Sequence, residues 1–176
     1  MLLKINKYNF LKLTKKFFLF VFFIFSLNFL YSQKVYCKKC PNSFECFLVS
    51  KIVSEYVCDT NVIIIFDANF PLSREISGIT NKYSDTLYII SINMNLNDGM
   101  SRVWTIMHET GHLIDMTNGN LSISPLIWEG QIINENIPYS KRPWEESAES
   151  WANFLFLTIL VEAIEEYELK FLNNKN

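Results

Sequence analysis

His108-Glu109-Thr110-Gly111-His112 contains both histidines of this 176-residue chain. The stretch has the form H-E-x-x-H. Residues four apart on a helix lie on the same face. Two imidazoles placed that way can grip one Zn²⁺ from one side, and Glu109 then sits where it can take a proton from the bound water. The flanking residues predict the helix itself. It begins near Met100 or Ser101, runs to about Met116, and stops at Asn118-Gly119-Asn120.

Upstream, Leu87-Tyr88-Ile89-Ile90-Ser91-Ile92-Asn93-Met94 reads as a strand, and so does the β-branched run Val62-Ile63-Ile64-Ile65-Phe66. Asp67 to Pro71 reads as an exit turn, 72–79 as a short strand, Asn81 to Asp85 as a polar turn and Asn95 to Gly99 as a break. Downstream, 119–142 reads as a loop broken by Pro125, Gly130 and Pro138. Pro143 suits the first turn of a long final helix reaching roughly Leu172. The acidic stretch Glu162 to Glu168 in that helix reads as a solvated face.

A catalytic zinc commonly keeps three protein ligands and one position for water. With no third histidine, the remaining ligand should be a carboxylate. Asp115 and Asn118 occupy the last two fixed positions of the longer form H-E-x-x-H-x-x-G-x-x-H, which excludes a metzincin motif. The supply lies in Arg142-Pro143-Trp144-Glu145-Glu146-Ser147-Ala148-Glu149-Ser150-Trp151-Ala152-Asn153. On a helix Glu145, Ala148, Glu149, Ala152 and Phe156 share a face, with Glu146 about 100° away. Small Ala148 and Ala152, with Gly111 between the histidines, permit close approach of the two helices. Glu145 and Glu149 therefore both stand as third-ligand candidates. Asp115, on the histidine-bearing face, reads either as a partner of a ligand histidine or as a helix-end residue.

Glu145-x-x-Ala148-Glu149 resembles the E-x-x-[AS]-[DE] helix of gluzincin-type metallopeptidases. His108-Glu109-Thr110-Gly111-His112-Leu113-Ile114-Asp115 resembles the H-E-x-G-H-x-x-D form of the anthrax lethal factor and Pro-Pro endopeptidase group. The resemblance spans roughly residues 87–157. It implies Glu145 as zinc ligand, Glu149 as the acid orienting a ligand histidine, and a tyrosine near the third ligand that stabilises the oxyanion. Tyr139 is that tyrosine, six residues before Glu145 and so one short of the group's spacing. A second pattern, Glu149-x-x-Ala152-Asn153, is similar to the ligand helix of a repressor-cleaving zincin group and would make Glu149 the ligand, although Leu155 replaces its final aromatic. The implied fold is α+β: a minimal zincin-like domain with a small mixed sheet, an edge strand over the motif helix, and a long C-terminal helix. Leu87 to Met94 takes the place of the zincin strand that holds an extended peptide substrate by backbone pairing.

The chain then divides into three parts. Residues 1–32 carry Lys4, Lys7, Lys12, Lys15 and Lys16 and then the apolar run Phe17 to Leu30. That reads as a secretory signal peptide, and as a membrane anchor if uncleaved. Residues 33–60 hold Cys37, Cys40, Cys46 and Cys58, and 61–176 form the catalytic domain. In an exported chain, clustered cysteines in even number read as two disulfides; a zinc knuckle would need a second CxxC. Five of the 16 bases and none of the 18 acids precede residue 33, so the remainder carries a formal charge of −7. Nucleic-acid partners need a basic face, which this chain does not offer. The expectation is an exported, secreted or periplasmic zinc peptidase acting on peptides or proteins. The alternative is a non-catalytic exported binding protein with a structural or vestigial zinc site. The sequence carries no signal for an oligomeric state.

Overall fold

Val62, Ile64 and Phe66 alternate inward on the strand Asn61–Asp67, and Tyr88, Ile90 and Ile92 do the same on Leu87–Asn93. This period-two pattern gives one fully buried sheet face. The computed structural model describes residues 34–40, 42–57, 60–68, 77–96, 98–134 and 136–172. The signal-peptide or anchor segment, and most of the stretch 72–79, lie outside them.

The sheet contains β1 (Lys34–Lys38), β2 (Asn61–Asp67), β3 (Gly78–Ser84) and β4 (Leu87–Asn93) in the order β1-β2-β4-β3. β1, β2 and β4 run parallel, and β3 is antiparallel to β4. The fold is thus α+β with a mixed sheet. Its edge differs from the sequence reading. Leu87 to Met94 was the expected edge strand, but β4 pairs on both sides, as its run of bulky β-formers suits. The edge beside the motif helix is β3, which extends through Asn81 to Ser84, residues read from sequence as a turn. Their polarity reflects exposure on an edge strand, which period alone does not separate from a turn.

Two helices cover the buried face. Helix α1 (Ser43–Tyr56) contributes Leu48, Val49, Ile52 and Val53 to the core. The cysteine-bearing segment is therefore built into the sheet through β1 and into the core through α1. Cys37 and Cys46 form a disulfide between these two elements, with Cα atoms 6.1 Å apart. Cys40 is a free thiol whose Sγ donates to the Asn42 carbonyl, so only one of the two expected bridges is present among the described residues, which exclude Cys58.

The motif helix α2 (Gly99–Thr117) is capped by Asp98, whose carboxylate accepts from the Ser101 N–H at 2.6 Å. It ends at Asn118, followed by Gly119 at φ +79°, as the sequence predicted. Nearly every residue from Val103 to Met116 is buried, because α2 packs against the sheet, α1 and α3 together. Leu113 and Ile114, both enclosed, each contribute about 1.5–3 kcal/mol. Arg102 adds an ion pair to the fully enclosed Glu45 of α1 at 2.9 Å.

The segment 119–142 is not the plain loop expected. It holds a small antiparallel sheet, β5 (Leu121–Ile123), β6 (Leu126–Trp128) and β7 (Gln131–Ile132), then a 3-10 turn at Tyr139–Lys141. Pro125 and Gly130 are its turns, and strands of two or three residues are too short to show alternation. The final helix is also not one run. α3 (Pro143–Thr158) and α4 (Leu160–Tyr167) are bent by 47° at Ile159 and continue into a π turn at Glu168–Leu172. Thr158 Oγ1 donates to the Phe154 carbonyl at 2.7 Å, a back-bond that bends helices.

Candidate metal centre

The face of α2 that carries His108 and His112 meets the first turn of α3. Gly111 permits this. A Cβ there would lie 2.8 Å from Trp151 Cβ and 3.1 Å from both Ala148 Cα and the Ala148 carbonyl oxygen. The helices touch nearly backbone to backbone, and Glu145 enters the space over the two imidazoles. His108 Nε2 lies 3.3 Å and His112 Nε2 3.4 Å from the same Glu145 oxygen, Oε2. The rings are perpendicular, with centroids 4.9 Å apart. One donor atom from each of the three residues lies within 4.8 Å of the others, so the set could hold a metal ion.

The electrostatics suit such a site. Burial alone would raise the Glu145 carboxyl, but the contacts from His108 and His112 hold it well below the usual carboxylate range. Glu145 therefore presents an ionised oxygen to the cluster.

Glu109 is 5 % exposed and lies in the same cleft. Burial raises its carboxyl, while the charge on His112 and a bond from Thr80 act in the opposite direction. Thr80 Oγ1 is 2.8 Å from both Glu109 Oε2 and the Glu109 carbonyl oxygen, so one hydroxyl proton serves both acceptors. Gly78, two residues earlier on β3, leaves the space that Glu109 fills. A Cβ at Gly78 would meet Glu109 Cγ at 2.6 Å and Oε1 at 2.8 Å. Neither Thr80 nor Gly78 is visible as a site residue in the sequence. They lie about 30 positions before Glu109, in a strand whose pairing no local pattern reports.

The remaining candidates separate. Tyr139 comes to the site: it lines the cleft with Glu145, and its partial burial, together with the nearby Glu145 carboxylate, raises its pKa. The short spacing is bridged by the 3-10 turn that precedes α3. Glu149 is exposed and stands outside the cluster. The face of α3 that is buried runs through Trp144, Ala148, Ala152 and Leu155. Four residues advance a helix by about 400°, so Glu149 lies about 40° further round from that face than Glu145 does. Asp115 is enclosed, yet is no member of the cluster. Its Oδ1 accepts from Trp151 Nε1 at 3.3 Å and from Asn120 Nδ2 at 3.5 Å, tying α2 to α3 and to the start of the small sheet.

The cleft measures about 730 Å³. Ser77 to Thr80 form one wall, and Trp104, Leu121 and Tyr139 contribute to the others. No family model, curated protein or solved structure matches this chain.

Proposed function

We propose that this chain is an exported zinc metallopeptidase with a minimal zincin-like domain. The supporting observation is the convergence of His108, His112 and Glu145, with Glu109 buried beside them and the edge of β3, unpaired among the described residues, alongside. Tetrahedral zinc with bonds of about 2.0–2.1 Å sets its donor atoms roughly 3.3–3.4 Å apart. The two separations from Glu145 Oε2, 3.3 and 3.4 Å, match that spacing. Two imidazoles and one carboxylate are also the donor set of several hydrolytic zinc sites.

Zinc held there would acidify a water and polarise a carbonyl. Glu109 accepts the proton of the attacking water and passes it to the leaving amine. Thr80 keeps the Glu109 carboxylate aimed during that exchange. Tyr139, at the rim, offers a phenol to the developing oxyanion. The edge at Gly78 to Thr80, unpaired among the described residues, aligns an extended peptide by backbone hydrogen bonds. Export rests on the basic and apolar segment at residues 1–32, cleaved as a signal or retained as an anchor.

The test is zinc-dependent cleavage of peptides by the purified protein, lost on chelation and restored by added zinc. Glu145→Ala is expected to weaken zinc binding at least about tenfold and to lose cleavage, whereas Glu149→Ala keeps both. Equal losses in the two variants would reassign the third ligand. Gly78→Ala should retain zinc but lower kcat by roughly a hundredfold, since displacement of a catalytic group by about 1 Å costs that much. Unchanged kcat in that variant would free Glu109 from its dependence on the β3 backbone.

A further inference from the structure

Several cations of the folded part have acidic partners. Arg102 pairs with Glu45, Lys82 with Asp85, and Lys51 with Glu55, Glu162 and Glu166. Arg142 is different. It is the one lysine or arginine lining the cleft among the described residues, and none of their carboxylates pairs with it. The two acids of the cleft are engaged elsewhere, Glu109 by Thr80 and Glu145 by the histidines.

The guanidinium is also held in place. Its Nε donates to the Ile137 carbonyl at 3.2 Å. Its central carbon lies 5.6 Å from the Tyr139 ring centroid and 5.9 Å from that of Trp144. The Nε bond and the two flanking rings hold the group, and its two terminal nitrogens offer a pair of donors. A pre-oriented guanidinium of this kind loses little freedom on binding a carboxylate, and such pairs are bidentate and strong. Arg142 and Tyr139 line the same cleft as the proposed ligand Glu145, so the donors border the space where a peptide would be cut.

We propose that Arg142 is a specificity-determining residue that selects peptides carrying a carboxylate near the scissile bond. The inference rests on the peptidase reading and names its substrate class. The carboxylate is that of an acidic side chain or of a free C-terminus, since the donor pair recognises both.

The probes are acetylated hexapeptide amides with Glu, Gln or Lys placed at each position in turn, and the neutral peptide with a free C-terminus. Binding to zinc-loaded Glu109→Gln protein is measured by calorimetry, and cleavage by the wild-type protein is measured separately. At one position Glu should bind about tenfold or more tighter than Gln, with Lys weakest. In Arg142→Gln that gap should vanish while the neutral amide binds as before, and Arg142→Lys should recover part of it. A gap seen only with the free C-terminus assigns the terminal carboxylate as the source. Equal binding of Glu and Gln peptides together with no gain from the free C-terminus, or a gap that survives in Arg142→Gln, overturns the proposal. Cleavage without acid preference removes the inference alone. Preference without cleavage removes the peptidase reading and leaves the recognition. No binding of any peptide removes both.

Discussion

Glu109→Gln is expected to abolish peptide hydrolysis, lowering kcat by roughly a hundredfold to ten-thousandfold, while zinc binding and stability change little. Glutamine keeps the shape and offers Thr80 an acceptor where Oε2 now lies at 2.8 Å. It also fits the space left by Gly78, where a carboxylate already packs against the strand backbone. What it lacks is a site for the proton. The zinc donors belong to His108, His112 and Glu145, so the metal should remain. Glu109→Ala would be the wrong test, because it leaves the enclosed Thr80 hydroxyl without its side-chain acceptor and opens a void. Parallel measurement of zinc content, thermal unfolding and cleavage separates the roles. A loss of zinc or of stability equal to the loss of activity would make Glu109 structural. Full activity would remove it as the base.

Gly111→Val is expected to damage fold and site together. Glycine in a helix interior costs about 1 kcal/mol relative to alanine, so a free surface position would gain from replacement. Here the new Cβ would lie 2.8 Å from Trp151 Cβ and 3.1 Å from the Ala148 backbone. Backbone cannot rotate aside as a side-chain tip does, so α3 must shift outward. Overpacking of this kind costs about 1–3 kcal/mol for added methyl groups. A loss of about 2 kcal/mol corresponds to a fall of roughly 8 °C in Tm. Glu145 moves with α3, so zinc affinity should also fall, by at least about tenfold. Gly111→Ala should lie between wild type and valine, its helical gain offsetting part of the clash. Calorimetric melting and zinc titration check both effects. A valine variant as stable as wild type would contradict the close contact of the two helices.

Much of the candidate site was legible in the sequence because its parts are local. His108, Glu109 and His112 occupy two turns of one helix, and Glu145 follows a proline that starts the next. The spacing that left Glu145 and Glu149 open is resolved by which face of α3 is buried, and Trp144 and Leu155 set that face as much as the alanines do. The edge strand was misplaced because two features separate in this fold. The most apolar strand before the motif is central, while the edge strand is polar and earlier in the chain. Thr80 and Gly78 reach Glu109 only through that pairing, so nothing in their own neighbourhood marks them. The break at Ile159 falls inside one continuous apolar pattern, so side-chain periodicity does not mark it. Arg142 reads from the sequence only as the residue before a helix-starting proline, because the rings and the cleft beside it come together only in the fold.

The central claim is that His108, His112 and Glu145 bind one zinc ion. The most direct measurement is the zinc content of the purified, folded protein after dialysis against a mild chelator, with X-ray absorption at the zinc edge on the same sample. The account predicts one zinc per chain, with two imidazole nitrogens and oxygen donors and no sulfur, and its loss in His112→Ala and Glu145→Ala. A folded chain that retains no zinc, or one whose zinc is bound by sulfur and survives both substitutions, would contradict it.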